Sequence, residues 1–271
     1  MKINVVPKIG EDFKELEKIM KYLNGKLEIQ LISCEIENFS RKIEDFLKKI
    51  DLSLLIVHLP SEITDWEVIP FNKEIEHKFM TFVKDCMELS KKYNTHIAIL
   101  GHLTTKYSTL KYIGFKEWFG FLVRMVQGYD VSFLVENPTT EPYKAKSGEP
   151  FIKFVKDFNN EKVRCCFDLC HYKIGKVLYG EHYKLTEDFG KYIFSVHFSE
   201  LPIKKHIFED KTHGRRHKTH GDIINDLFLL EDLGINYETV NIVTEINEDD
   251  YENKPDLIAE LQLIKELNER I

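Results

Sequence analysis

The sequence predicts a single (β/α)8 barrel, an α/β fold in which eight parallel strands close on themselves, with residues 1–271 in one domain. Three observations favour this fold. Short apolar runs rich in β-branched residues alternate with longer stretches whose apolar residues recur at helical spacing. The short runs are apolar throughout, as expected for strands covered on both faces. The chain has 271 residues, near the length of about 250 that is typical of such a barrel.

The predicted elements follow one another in regular alternation. The strands are residues 3–6, 27–32, 53–57, 96–100, 131–135, 163–167, 193–196 and 240–244. The helices have apolar side chains at intervals of three and four residues, and Gly25, Gly128 and Gly234 follow three of them, where a helix end favours glycine. These helices are residues 12–23, 39–50, 71–93, 115–127, 151–158, 223–233 and 255–271.

Three connections are not assigned to regular structure. The polar segment after strand five, residues 137–150, suits a loop that covers a site. No helix is predicted between strands six and seven. The segment after strand seven, residues 200–221, is rich in Lys, Arg and His and is expected to be a long loop.

Composition narrows the classes of function. The net charge is −7 at pH 7, so attraction to nucleic acid is not built into the whole surface, although a local basic patch is compatible with it. The chain shows no secretory signal and no apolar run long enough to span a bilayer, so we expect a cytoplasmic protein with no membrane partner. The oligomeric state stays open between a monomer and a small homo-oligomer.

The five cysteines favour a reducing compartment. Their number is odd, and three cluster on predicted strand six and its end, which is typical of free thiols in a cytosolic protein. All three clustered thiols are expected to be buried. The cysteines are Cys34, Cys86, Cys165, Cys166 and Cys170.

The chain is organised around residues 163–171, where a buried strand is expected to deliver Asp168 at its carboxyl end and His171 one turn later. A carboxylate and an imidazole placed in this way can face one cavity. Both are good ligands for Zn, Mn or Fe. The alternative is that Asp168 caps a helix and His171 is an incidental loop residue.

Similar polar residues stand at the ends of six successive predicted strands. In a (β/α)8 barrel these ends meet at one face. Charges at the ends of apolar strands cost several kcal/mol, roughly, unless they are paired or bind a cation. Their convergence therefore predicts a site for two or three metal ions. The residues are His58, His102, Glu136, Asp168, His171, His197 and Glu245.

The order of these residues on strands five to eight resembles the xylose-isomerase-like TIM barrel superfamily, over essentially the whole chain. This superfamily includes sugar isomerases and epimerases and the endonuclease IV family of DNA repair enzymes, or AP endonuclease family 2. The added histidines on strands three and four, His58 and His102, resemble the endonuclease IV branch in particular.

The resemblance implies a ligand set for each of three zinc ions, with Mn or Fe as alternatives to zinc and two or three ions per chain. The first ion would be held by His58, His102 and Glu136. The second would be held by Glu136, Asp168, His197 and Glu245. The third would use His171 with an Asp and a His from the loop after strand seven.

That loop departs from the family pattern, which has an Asp-x-His pair before a glycine-rich turn. This chain reads EDKTHGRRHKTHGDI, so the matching residues are ambiguous among Asp210, His213, His217 and His220. We select His213 and His217 as ligands, with Asp210 behind them. The Tyr-Leu pair with which the family penetrates DNA is also not evident, because His58 is followed by Leu-Pro-Ser-Glu.

The first hypothesis is a metal-dependent phosphodiesterase that resembles endonuclease IV and hydrolyses damaged DNA. Two metals about 3.5–4 Å apart would share Glu136 and a hydroxide that attacks phosphorus in line. Basic residues of the loop after strand seven would neutralise phosphates, unless they form a solvated surface. These residues are Lys211, Arg215, Arg216 and Lys218.

The alternative hypothesis is a single-metal isomerase or epimerase acting on a small sugar or polyol. Glu136 and Glu245 would move a proton at the carbon next to a carbonyl, while His171 contacts a hydroxyl. A third hypothesis is a barrel that binds metal without catalysis. The number of bound ions separates the first two, because one ion favours isomerisation and two or three favour phosphoester chemistry.

Overall fold

The computed structural model has a closed eight-stranded barrel in which neighbouring strands are parallel and β8 pairs with β1, which confirms the predicted fold. The structure describes residues 2–10, 19–31, 36–60, 66, 69–103, 109–137, 149–179, 188–200, 215–246 and 255–270. The strands are β1 (Val5–Gly10), β2 (Lys26–Gln30), β3 (Leu54–His58), β4 (His96–His102), β5 (Val131–Glu136), β6 (Val163–Asp168), β7 (Ile193–Phe198) and β8 (Asn241–Thr244).

The described residues include seven α-helices, one of which the sequence did not predict. This helix follows β6 directly, so His171 lies in its first turn rather than in a loop. Most of the predicted helix 12–23 lies outside the described residues. The helices are α1 (Ile36–Leu47), α2 (Lys73–Tyr93), α3 (Thr109–Met125), α4 (Glu149–Phe158), α5 (Leu169–Tyr179), α6 (His220–Asp232) and α7 (Pro255–Arg270).

The polar strand ends form the next layer above an apolar barrel interior. Eight buried side chains fill that interior in one cluster, which is separate from the larger core between strands and helices. Because side chains alternate along a strand, the residue two positions further on faces the same way. This relation pairs five interior residues with five polar ones, namely Ile56 with His58, Leu100 with His102, Leu134 with Glu136, Cys166 with Asp168, and Val243 with Glu245.

Strand β1 lies later in the chain than predicted. It begins at Val5 and continues through Lys8 to Gly10, whereas the prediction ended at Val6. Lys8 does not end the strand, because its backbone pairs with that of Glu28 on β2 and its side chain follows that of Val6 in the inward direction. Lys8 and its strand partner Glu28 therefore lie inside the barrel, whereas apolar residues were predicted there.

The segment after β7 is joined at its two ends by backbone hydrogen bonds. Glu200 and Arg215 exchange backbone hydrogen bonds of 2.8 and 2.9 Å, and residues 201–214 lie outside the described part of the chain. Helix α6 then begins at His220, three residues before the predicted start, because Thr219 and Asp222 form a capping box at its N-terminus.

Two expectations from composition can be compared with the structure. Cys86, Cys165, Cys166 and Cys170 are buried free thiols, and Cys34 lies outside the described residues. Within the described ranges, none of the helices has the length and apolar character that crossing a membrane requires.

Candidate metal centre

Two groups of ligand-type side chains converge at the carboxyl ends of the strands. In each group, one potential ligand atom per residue lies within 4.8 Å of all the others. The three-residue group is His58, His102 and Glu136. The four-residue group is Glu136, Asp168, His197 and Glu245. Since Glu136 belongs to both groups, the two form one continuous site.

The four-residue group brings one imidazole nitrogen close to three carboxylates. Nδ1 of His197 lies 2.5 Å from Oε2 of Glu245, 3.4 Å from Oε1 of Glu136 and 3.8 Å from Oδ2 of Asp168. In the described part of the chain, neither Nδ1 of His197 nor Oε2 of Glu245 makes an aligned hydrogen bond. Without an ion, a proton on Nδ1 offsets the charge of these carboxylates. A divalent cation would replace that proton and take Nδ1 and the carboxylate oxygens as ligands, so the residues fit a metal ion.

The charges in this group also favour a cation. Burial and the neighbouring carboxylates Glu245 and Glu136 raise the pKa of Asp168 to about 8. Although burial opposes the change, Cys166, Glu245, Glu28 and Glu136 raise the pKa of His197 well above its usual value. Both shifts reflect a surplus of negative charge, which is the condition that a bound divalent ion relieves.

The three-residue group places two imidazoles on one carboxylate oxygen. Nε2 of His58 and Nε2 of His102 each lie 3.2 Å from Oε2 of Glu136, and the two rings meet edge to face. Nδ1 of His58 lies 2.9 Å from the carbonyl oxygen of Leu59. A proton on Nδ1 donated to that carbonyl leaves the Nε2 lone pair directed into the site. Burial and the charge of Lys8 lower the pKa of His58, which favours this neutral form.

His171 lies beside both groups. Its Nδ1 is 2.7 Å from the carbonyl oxygen of Asn137, and its Nε2 is 3.4 Å from Oδ2 of Asp168. Burial lowers its pKa to about 4, so the ring is neutral at pH 7. Asn137 also holds the backbone of Asp168 in place. Its side chain accepts a hydrogen bond from the Asp168 N–H and donates one to the Asp168 carbonyl oxygen. The sequence did not single out Asn137, although it follows Glu136 directly.

The structure places His217 outside the two ligand groups, and both of its ring nitrogens face other carboxylates. Nδ1 lies 2.5 Å from Oε1 of Glu260, and Nε2 lies 3.0 Å from Oδ2 of Asp226. The ring is fully buried and stacks on Phe198. Lys173 adds an ion pair to Asp226. We call these four polar residues, His217, Glu260, Asp226 and Lys173, the outer cluster.

The rest of the third predicted ligand set is not formed by the described residues. His213 and Asp210 lie outside the described part of the chain. His220 lies at the start of α6, where its Nε2 is 3.4 Å from Oε2 of Glu266 on α7.

Two charged residues of the site were missed by sequence reasoning. Nζ of Lys8 lies 2.5 Å from Oε1 of Glu245 and 3.1 Å from Oε1 of Glu28. Nε2 of His197 lies 3.1 Å from Oε2 of Glu28, so Glu28 accepts its proton and leaves Nδ1 to face the other ligands. The available signal was a Lys and a Glu inside otherwise apolar runs, VVPKIG and KLEIQ.

Solved structures share this architecture at low sequence identity. A D-tagatose 3-epimerase-like protein has a TM-score of 0.64 and 16% identity, over 98% of this chain and 97% of its own. The IOLI protein with a binding zinc atom has a TM-score of 0.62 and 15% identity, over 98% and 96%. A D-allulose 3-epimerase from Methylomonas sp. in complex with D-allulose has a TM-score of 0.60 and 10% identity, over 100% and 99%. At these identities the similarity shows the fold alone.

Sequence comparison assigns the family. No protein of curated function matches the chain in sequence. A family model described as xylose isomerase-like TIM barrel matches residues 12–267. The match covers most of the chain, and the protein therefore belongs to the xylose isomerase-like TIM barrel family.

Proposed function

We propose that this protein is a metal-dependent isomerase or epimerase that acts on a small sugar or polyol-derived ketose. The observation that carries the proposal is the four-residue group, in which Glu136 and Glu245 both lie among the potential ligands. Two solved structures with this fold are named as a 3-epimerase or 3-epimerase-like protein. This proposal reverses the order of the two hypotheses drawn from the sequence.

The basic loop supports this reversal in part, because the side chain of one of its arginines is paired within the protein. Nε of Arg216 lies 2.7 Å from Oδ1 of Asp256 on α7. The backbone of Arg215 pairs with that of Glu200, and the backbone N–H of Lys218 donates to Asp222. Lys211 lies outside the described residues. The side chain of Arg216 is thus neutralised locally, which weakens the expectation of a phosphate-binding rim.

The proposed chemistry uses the two glutamates as a proton-transfer pair. An ion held by Glu136, Asp168, His197 and Glu245 would polarise the substrate carbonyl and make the adjacent C–H more acidic. One glutamate, as the carboxylate, would accept the proton from that carbon, and the other, having entered the step as the carboxylic acid, would return its proton to the neighbouring atom or to the opposite face; exchange with solvent restores both. Glu245 would use Oε1, the oxygen beside Lys8, for this transfer. His171 is neutral and contacts a substrate hydroxyl through Nε2. The buried floor of the site limits access of water to the carbanion-like intermediate.

The test combines a metal measurement with a substrate panel. Full-length protein is stripped with chelator and reloaded with Mn²⁺, Co²⁺, Mg²⁺ or Zn²⁺, and ketohexoses and ketopentoses are followed by chromatography and by exchange of solvent deuterium into the product. We expect one ion to restore turnover with deuterium incorporated at one carbon. Tight metal binding with no turnover on ketoses or phosphoesters would instead support the non-catalytic barrel.

A phosphodiesterase is the second candidate, and one observation favours it. His58 and His102 share Oε2 of Glu136 at 3.2 Å each, which is the arrangement that a second metal would use. The two ions would then share Glu136 as a bridge. Cleavage of a duplex with a single abasic site, abolished by chelator, is the expected result for this candidate. An intact duplex with Zn²⁺ or Mn²⁺ present would exclude that substrate.

A further inference from the structure

A lysine ammonium lies beneath the four-residue group. The side chain of Lys8 is 8% exposed, and its Nζ lies between Oε1 of Glu245 and Oε1 of Glu28. Its place follows from β1, where Val6 fills the barrel interior and Lys8 is the next inward residue. The site therefore contains the positive charge of Lys8 in addition to any metal ion that it binds.

This ammonium contacts one of the two Glu245 oxygens and leaves the other directed into the ligand group. Oε1 is 2.5 Å from Nζ of Lys8, whereas Oε2 faces Nδ1 of His197 inside the ligand group. The two oxygens of Asp168 also have different partners. Its Oδ1 accepts a hydrogen bond of 2.6 Å from the backbone N–H of His171, and its Oδ2 faces His197. Each of these carboxylates thus presents one oxygen to the site.

We propose that Lys8 is a selectivity residue, which holds Glu245 to one-oxygen binding and so favours small transition-type ions over Ca²⁺. The inference rests on the metal centre of the proposed function. Calcium takes about six to eight oxygen ligands and commonly uses both oxygens of a carboxylate. Zinc and manganese accept fewer protein ligands and bind imidazole well. With Oε1 held by Lys8, the group offers three carboxylate oxygens and one imidazole nitrogen.

Glu28 has a separate, positioning role. It accepts the Nε2 proton of His197 and pairs with Lys8, so it fixes the imidazole tautomer that presents Nδ1. Removing this support lowers affinity for any ion that binds the imidazole, typically about 10- to 100-fold for such outer contacts. The contact of Lys8 with Oε1 of Glu245 stays unchanged, and Oε2 still faces the ligand group.

The experiment measures the dissociation constants of Mn²⁺ and Ca²⁺ on chelator-stripped, full-length protein by isothermal titration. In the natural protein Mn²⁺ binds more tightly. Lys8→Met keeps the side-chain length and releases Oε1 of Glu245, so the ratio of the Ca²⁺ to the Mn²⁺ constant falls by at least about tenfold. An unchanged ratio in Lys8→Met overturns the inference.

The double variant Lys8→Met/Glu28→Gln separates geometry from charge. It removes one positive and one negative charge, so its net charge equals that of the natural protein. A ratio as low as in Lys8→Met supports the inference, whereas a return to the natural ratio shows that charge alone was responsible and overturns it. Glu28→Gln alone is the matched control. It weakens imidazole binding and so raises the Mn²⁺ constant more than the Ca²⁺ constant, and the ratio of the double variant must fall below the ratio of this control to support the inference.

The double variant also tests the inference in the case that Lys8→Met does not fold. It leaves neither member of the buried pair without its partner, and neutral replacement of a buried pair is usually tolerated. Its ratio then decides the inference. If the natural protein binds neither ion, the proposed function fails and the inference falls with it. Binding with the natural ratio in the double variant overturns the inference and leaves the proposed function intact.

Discussion

The barrel mouth and the outer cluster each bury a histidine between carboxylates, but they resolve the resulting charge differently. In the outer cluster, both nitrogens of His217 reach a carboxylate, and Lys173 pairs with Asp226. In the mouth, Nδ1 of His197 faces three carboxylates at once, those of Glu245, Glu136 and Asp168.

The difference teaches which buried histidines are metal candidates. The outer cluster balances the charges of Asp226 and Glu260 with those of Lys173 and a protonated His217, whose pKa rises to about 9 although burial opposes the rise. The mouth sets the four carboxylates around His197 against the ammonium of Lys8 and the protonated imidazole itself. A remaining negative surplus, rather than a buried His–carboxylate contact alone, indicates a cation site.

The largest expected effect is on catalysis at the mouth. Glu136→Gln removes the residue shared by both ligand groups and one member of the proton-transfer pair. Turnover of the ketose substrate should fall about 10²- to 10⁴-fold, because one of the two proton-transfer groups is lost. Exchange of solvent deuterium into the product measures this effect. Turnover within tenfold of the natural enzyme would contradict the assigned role.

The next effect is on stability at the outer cluster. His217→Ala removes the imidazole from Oε1 of the fully buried Glu260 carboxylate, while Oε2 keeps the backbone N–H of residue 217, so the free energy of unfolding should fall by about 3 kcal/mol. Urea denaturation measures this change. Glu269→Gln, which removes an exposed ion pair with Lys265, is the control and should change stability by less than about 0.5 kcal/mol. Loss of metal binding in a folded His217→Ala protein would reinstate His217 as a ligand.

The pH dependence of stability should distinguish the same two regions. Because the pKa of His217 is raised to about 9 in the folded protein from about 6.5 in the unfolded chain, its contribution is complete below pH 6.5. It is lost as the pH rises through 9, on the order of 3 kcal/mol. Denaturation of metal-free protein from pH 6 to 10 tests this. Glu260→Gln should flatten the profile, and an equally steep loss in that variant would refute the origin in His217.

The smallest expected effect concerns the three-residue group. His102→Gln weakens any ion bound by His58, His102 and Glu136 but leaves the four-residue group complete. Elemental analysis should show one bound ion fewer if both groups are occupied, and no change if only the four-residue group is. Under the proposed function, ketose turnover changes less than about tenfold. A loss of abasic-site cleavage together with one ion would favour the phosphodiesterase instead.

Part of the candidate site could be anticipated because its residues interrupt strong patterns. His58, Glu136 and Asp168 each end an apolar run, and parallel strands must bring such ends to one face. Lys8 was passed over because it lies in a weakly apolar run that also contains a proline. Helix α5 was not predicted; it begins at Leu169, directly after β6 ends at Asp168, so no polar connection marks its start.

The sequence by itself determined the alternation of strands and helices, the closed barrel and the set of strand-end ligands, because local periodicity and chain length suffice for these features. Only the tertiary structure decided which buried histidine lies among the other potential metal ligands. The sequence selected both His197, which follows an apolar strand, and His217, which lies in an ambiguous loop, as ligands. Their partners, Glu28 and Glu245 for one and Asp226 and Glu260 for the other, come mostly from distant elements, whose approach depends on barrel closure and helix packing.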